Sequence, residues 1–266
     1  MITLSELAIY PIKSCAQISL TKATLGPFGL ENDRRWMLID NQGYMLTQRK
    51  LSRMCLIQCS VNNQQITLSA PGMQDISATP EDTQLKATVW EDNCTALDCG
   101  NDVAQWLSQF LDTETRLVYF PATEIRQVDL NYAKQGDITA FSDGFPYLLI
   151  SQASLDDLNS RLQHPVEMKR FRPNLVIGGC EAFEEDNWKQ VRIGDIEFDI
   201  VKPCSRCVIP SIDPATSEKS AEPVKTLTSY RKRDNKIFFG QNVIARNNNS
   251  QKEAILEVGM PVEIIK

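Results

Sequence analysis

A chain of 266 residues is long enough to bury one elaborate core or two modest ones. Its 28 Lys and Arg are outnumbered by 34 Asp and Glu, and the net charge of -6 excludes general nucleic-acid binding, which needs a dominant positive field; local cationic clusters for a single anion stay open. The opening MITLSELAIYPIKSC lacks a basic n-region and an unbroken apolar run, and no later stretch is long and apolar enough to span a bilayer, so a cytoplasmic protein with no membrane partner is expected. Its eight cysteines are then expected as reduced thiols.

In chain order, WMLID and YMLTQ flank Asn41-Gln42-Gly43 and predict a β-hairpin. Behind an Asn101-Asp102 cap signal, Val103, Trp106, Leu107, Phe110 and Leu111 recur at helical spacing, which predicts a helix over 102–111 whose apolar face is core. The polar run TEIRQVDLNYAKQGDITAFSDGFP marks a domain junction or a long functional loop, and a soft boundary near residue 122 divides 1–122 from 123–266. A second helix is expected from Ser151 to Leu162, with Leu155, Leu158 and Leu162 on one face and Asp156 and Asp157 near its positive end. Val191 and Ile193, the turn Gly194-Asp195, then Ile196, Phe198 and Ile200 predict a second hairpin. The closing LEVGMPVEIIK has the same look of strand, Gly turn and strand. Together these elements predict a mainly β chain with α, an α+β fold.

The most informative stretch for chemistry is Lys202-Pro203-Cys204-Ser205-Arg206-Cys207. Pro203 cannot donate to a sheet ladder, so the preceding strand is expected to stop there and present the cysteines on a loop. A lone C-x-x-C allows a zinc half-site, a redox dithiol, a thiolate ligand for a soft metal, or two small buried hydrophobes. Zinc is disfavoured because no second C-x-x-C exists, C-x3-C at Cys55 and Cys59 is a poor substitute, and the only histidine is His164, read as a surface loop residue. A thioredoxin-like dithiol should open a helix after a parallel strand, whereas a hairpin precedes this motif. Arg206 beside Cys207 would favour a thiolate, and a single thiolate ligand needs its remaining partners from a cofactor.

Lys13-Ser14, Arg34 and Arg172 with Asn174 each pair a cation with a turn or Pro signal, a common construction for an anion site. Arg231-Lys232-Arg233 reads as a solvated loop, and Asp186 is the candidate pocket carboxylate. No G-x-x-x-x-G-K-[ST], G-x-G-x-x-G or G-x-S-x-G is present, which leaves nucleotide hydrolysis and Ser-triad chemistry without support.

YPIKSC, DRRWM, SDGFPYLLISQASLDDLNSRL, FRPNLVI, IGDIEFDIVKPCSRC and FGQN occur in that order. Together they resemble the MOSC family with its N-terminal β-barrel domain, and more closely its YcbX-like bacterial and amidoxime-reducing mitochondrial branches, over nearly the whole chain. The resemblance implies an N-terminal β-barrel-like domain followed by a MOSC β-barrel domain with peripheral helices. It implies a molybdenum cofactor of the molybdopterin type, with no place for pyridoxal phosphate, whose metal is held by the second Cys of C-S-R-C, here Cys207. Cofactor contacts carry over by motif to Lys13, Ser14, Arg34, Ser142, Asp143, Arg172, Asn174, Ser205, Arg206 and Asn242. The chain departs from its relatives at Asn242, where an aromatic is common, and at Gly144-Phe145, where small polar residues are usual.

The activity implied is reduction of small-molecule N-hydroxylated compounds by an oxidoreductase with Cys207 at its catalytic centre. Some bacterial relatives append a [2Fe-2S] domain, but no Cys follows Cys207, so electrons are expected from a separate flavoprotein or ferredoxin-like partner. The alternative implied is a non-catalytic molybdenum-cofactor or sulfur carrier, because MOSC domains also occur at the end of molybdenum-cofactor sulfurases.

Overall fold

Gln190–Ile193 and Ile196–Arg206 pair antiparallel across Gly194-Asp195, with Val191 opposite Phe198 and Ile193 opposite Ile196, as the alternation predicts. Their buried side chains join Leu7, Leu149 and Leu175 in one apolar cluster. The computed structural model describes residues 1–246 and 254–266, and within them the chain is mainly β with peripheral helices.

The largest sheet runs from Val262–Ile264 through Gln190–Ile193, Ile196–Arg206, Lys236–Arg246, Tyr147–Ser151, Leu175–Gly178 and Thr3–Ile9 to Ile18–Leu20. Thr3–Ile9 lies beside Leu175–Gly178, so strands from both sides of residue 122 share it. Neighbours along it are antiparallel except Tyr147–Ser151 and Leu175–Gly178. That parallel pair needs a crossover, and the helix Gln152–Ser160 supplies it. The Ser151 hydroxyl caps this helix by accepting from Ser154 N at 3.1 Å, while Leu155 and Leu158 are buried as expected. Asp156 and Asp157 are not at its positive end: they fall mid-helix, where they accept from Gln152 and Arg161 one turn away.

A second sheet, Trp36–Ile39, Arg116–Tyr119, Asp92–Asp98 and Gln84–Val89, neighbours the helix Asn101–Leu111, whose five expected apolar residues are buried. The cap expected from Asn101-Asp102 is replaced by Gly100, with φ at 93° and no side-chain bond; Asn101 instead accepts from Arg116 Nη2 at 3.1 Å. After Trp36–Ile39 the turn at Gly43 forms, but the returning limb makes only isolated bridges, Ile39 to Met45 and Tyr44 to Thr88. The closing strands Ile255–Glu257 and Val262–Ile264 also form, yet not as a hairpin. The first pairs with Lys22–Gly26 and the second with Gln190–Ile193, because the backbone between them bonds to Leu4 at both Gly259 N and Met260 O.

In Arg231-Lys232-Arg233 the last two residues are solvated as expected, but they form a strand and not a loop. Lys232–Arg233 pairs with Lys236–Arg246 across Asp234-Asn235, both left-handed, a two-residue hairpin turn, and Arg231 turns inward to Asp186.

The strand bearing the cysteines corrects the reading of Pro203. It continues to Arg206, with Pro203 opposite Gln241 and Ser205 opposite Phe238. Gln190–Ile193 covers it only as far as Asp199, so Pro203 sits where the strand has one neighbour, the setting in which Pro is tolerated. Two register shifts bend this stretch, one after Ile200 and one between Pro203 and Ser205, where the partner strand contributes the extra residue. Gly240 lies in that bulge at φ 82°, and a Cβ there would meet Ile150 Cγ1 at 2.6 Å and Leu149 O at 2.9 Å. Gly240→Ala is therefore expected to cost more than about 1 kcal/mol, read as a lower denaturation midpoint in urea.

Candidate cofactor site

Cys207 is the first residue beyond the bent strand and is exposed. Three turns that the sequence signals had marked place Ser14, Arg34 and Arg172 in left-handed backbone, with φ of 70°, 48° and 59°. Such conformations cost non-glycine residues energy and cluster where geometry is constrained by function.

Two linked clusters result. In the first, Lys13 is buried; its Nζ donates to Phe141 O at 2.8 Å and pairs with Asp143 at 2.5 Å. Arg126, also buried, donates to Ala140 O and Ser142 O and so fixes the loop carrying Asp143; Ser142 Oγ lies 2.5 Å from Thr139 Oγ1. Arg49 completes this cluster, donating from Nη2 to Asp143 at 3.3 Å and from Nε to Cys207 Sγ at 3.4 Å.

In the second cluster, the guanidiniums of Arg34 and Arg172 stack on the Tyr10 ring at 4.3 and 4.2 Å from its centroid. Arg34 is anchored by Asp33 at 2.5 Å and by Asn174 Oδ1 at 2.9 Å, and Arg172 donates to Cys15 O at 2.6 Å. Beside it is a cavity of about 270 Å³ whose wall includes Tyr10, Cys15, Gln48, Arg170, Arg172 and Ile209. Lys13, Arg34, Arg206 and Cys207 are not part of that wall. Lys13, Arg34, Arg172, Arg206 and Cys207, which one shared cofactor would draw to one pocket, therefore do not line a single cavity.

Two carried-over positions are structural in their contacts. The Asn174 amide is spent on Ala8 O, Leu148 N and Arg34, and Asn242 Nδ2 donates to Lys202 O at 3.2 Å across the bulge. Ser205 is exposed on the strand. Arg206 does not serve Cys207 as its position in sequence suggested: the strand turns it the other way, so that Nη1 donates to Cys204 Sγ at 3.2 Å and Nη2 to Phe171 O at 2.6 Å. Asp186 is not a pocket carboxylate, since Arg231 and Gln241 occupy its two oxygens at 2.6 and 2.7 Å. His164 is exposed, as expected.

Six cations, Lys13, Arg34, Arg49, Arg126, Arg172 and Arg206, stand with three carboxylates, Asp33, Asp92 and Asp143. Burial lowers the Lys13 pKa from 10.5 to about 8 against the pull of Asp143, and burial together with Arg34 makes Arg172 hold its proton less tightly. Among the described residues the buried Arg206 Nε finds no hydrogen-bond partner. Buried cations in surplus and an orphaned donor fit an anionic, acceptor-rich ligand. Among the described residues no group of three or more His, Cys, Asp and Glu could hold a metal, so a metal at Cys207 must bring other ligands with it. All eight cysteines are thiols; burial pushes Cys55 to about 11 and Cys59 to about 12, which keeps them protonated and inert.

Arg49, Asp33, Tyr10 and Trp90 were missed by sequence reasoning. Asp33 precedes Arg34 directly, but nothing in Thr47-Gln48-Arg49-Lys50 separates Arg49 from a surface cation.

Comparison with known proteins agrees with this architecture. The family model for the MOSC N-terminal beta barrel domain matches residues 1–114, and that for the MOSC domain matches residues 137–263. Mitochondrial amidoxime-reducing component 1 of Mus musculus is 40% identical over 86% of this chain and 71% of its own, and the Homo sapiens protein of that name is 37% identical over 99% and 83%. Mitochondrial amidoxime reducing component 2 of Rattus norvegicus is 36% identical over 98% and 82%. With matches of this extent along both halves, the chain belongs to the MOSC family, in the branch that carries the MOSC N-terminal beta barrel domain.

Proposed function

We propose that this protein is a molybdenum-cofactor-dependent oxidoreductase that reduces N-hydroxylated compounds to amines or amidines, with Cys207 as the protein ligand of the metal. The observation that supports the reading is an exposed thiol at the end of a bent strand, met by Arg49 of the cluster that holds the buried Lys13, with no group of three or more His, Cys, Asp and Glu among the described residues to hold a metal in its place. Two-electron oxygen-atom transfer is the chemistry the group supplies when bound. The protein's part is to bind and orient. Lys13, Arg34, Arg172 and Arg206 neutralise the anionic end, Ser14, Ser142, Ser205 and Asn242 offer polar contacts, Asn174 positions Arg34, and Asp143 positions Lys13 and Arg49.

The donor set suits a mononuclear site better than zinc, which would want further Cys or His. Electrons come in this reading from a separate flavoprotein or ferredoxin-like donor, and the protein works in the cytoplasm, although its relatives are named as mitochondrial. Among the described residues no helix is long and apolar enough to cross a membrane. The halves 1–122 and 123–266 are proposed as its two domains.

The test is turnover of benzamidoxime to benzamidine with a chemical electron donor, by protein purified from a host that makes the cofactor. Turnover that scales with molybdenum content is expected. Molybdenum present without turnover would sink the enzyme reading and favour the carrier.

The Lys13 pKa gives a pH dependence. The unfolded chain holds this proton up to about 10.5 and the folded one only to about 8, so the cost of burying the charge is felt in full below about 8 and is relieved as pH rises from there to 10.5. An anion held by Lys13 needs the charged form, so molybdenum retention is expected to weaken as pH rises through about 8. In Lys13→Arg, which stays protonated, that step should vanish; an unchanged profile on dialysis against graded pH would count against Lys13 as an anion ligand.

A further inference from the structure

Arg49 and Trp90 form a stacked pair beside Cys207. Trp90 sits at the turn between Gln84–Val89 and Asp92–Asp98 with φ at 55°, and 47% of it is exposed. A bulky residue in left-handed backbone costs on the order of 1–3 kcal/mol, and a half-exposed side chain recovers less of that by burial than a core residue would. Its contacts are specific instead: Nε1 donates to Asp143 Oδ1 at 3.2 Å, and the ring carries the Arg49 guanidinium 4.7 Å from its centroid. Arg49 is also held by Asp143 Oδ2 at 3.3 Å, and its carbonyl accepts from Lys219 Nζ at 3.3 Å. Stacking, ion pair and backbone contact leave the Nε–H one direction, and it points at Cys207 Sγ, 3.4 Å away.

We propose that Arg49 is a positioning residue that donates its Nε–H to the Cys207 sulfur and thereby sets the reduction potential of the metal this sulfur holds, with Trp90 and Asp143 aiming it. This rests on the assignment of Cys207 as metal ligand. A hydrogen bond to a thiolate sulfur withdraws electron density from the ligand, and a nearby cation favours an added electron; both raise the potential. Lysine keeps the charge but has neither the planar Nε–H nor the same stacking on Trp90.

The experiment is a redox titration of loaded protein followed by electron paramagnetic resonance, after molybdenum per chain has been measured, for wild type, Arg49→Ala, Arg49→Lys and Trp90→Leu. Arg49→Ala is expected to keep its molybdenum, shift to lower potential and change its resonance spectrum. Trp90→Leu should shift the same way by less, and Arg49→Lys should recover part of the loss. Arg49→Lys alone decides the matter if the alanine variant does not fold, since it should still fall below wild type. A wild-type potential and spectrum in the variants overturns the inference, and so does loss of molybdenum from Arg49→Ala, which would make Arg49 a retention residue. Wild-type protein that carries no molybdenum fails the functional reading itself, and this inference with it.

Discussion

Cys207→Ser is expected to abolish molybdenum retention, while Cys204→Ser keeps most of it. The asymmetry follows from where the bent strand leaves the two thiols. Cys207 lies beyond its last paired residue, is exposed, and is met by Arg49. Cys204 is half-buried against the cluster containing Phe171 and Phe239, and its sulfur already accepts from Arg206. A serine hydroxyl is a hard, weakly acidic donor that replaces a thiolate poorly on a soft or high-valent metal. Metal content per chain, measured with the fold checked by circular dichroism, decides it; equal loss in both variants would refute the single-ligand assignment.

Asn174→Leu carries the largest expected effect on stability, about 3 kcal/mol or more, because it strands buried polar groups that this one amide serves. Nδ2 donates to Ala8 O at 3.1 Å, and Oδ1 accepts from Leu148 N at 3.2 Å and from Arg34 at 2.9 Å, tying three segments of the chain together. Leucine has the volume but none of the bonds, and Arg34 would lose the partner that aims it. Urea denaturation should show the loss, and molybdenum retention should fall with it. Unchanged stability would mean that Asn174 is a cofactor contact only.

Elements with a strict period were legible from sequence: the helix over 102–111 and the hairpin at Gly194-Asp195 depend on local alternation alone. Pairing partners were not. LEVGMPVEIIK looks like a hairpin because each half is a strand, and only Leu4, some 250 residues away, sends the halves to different sheets. Pro203 misled for a related reason, since a Pro stops a central strand and not one with a single neighbour. In the site, Lys13, Arg34 and Arg172 stood out through turn and Pro signals that correspond to real left-handed or buried positions. Arg49 did not, because its role comes from Trp90, Asp143 and Cys207, all distant in sequence, and the direction of Arg206 toward Cys204 follows from two-residue alternation only once the strand is known to run past Pro203.

Cys207, with Arg49 beside it and the cations of the two clusters, is proposed to hold a molybdenum cofactor. Metal analysis of protein purified from a cofactor-producing host tests this most directly. Stoichiometric molybdenum, released together with a pterin on denaturation and absent from Cys207→Ser, is the expected result; zinc in its place, or no metal under conditions where the cofactor is made, would contradict it.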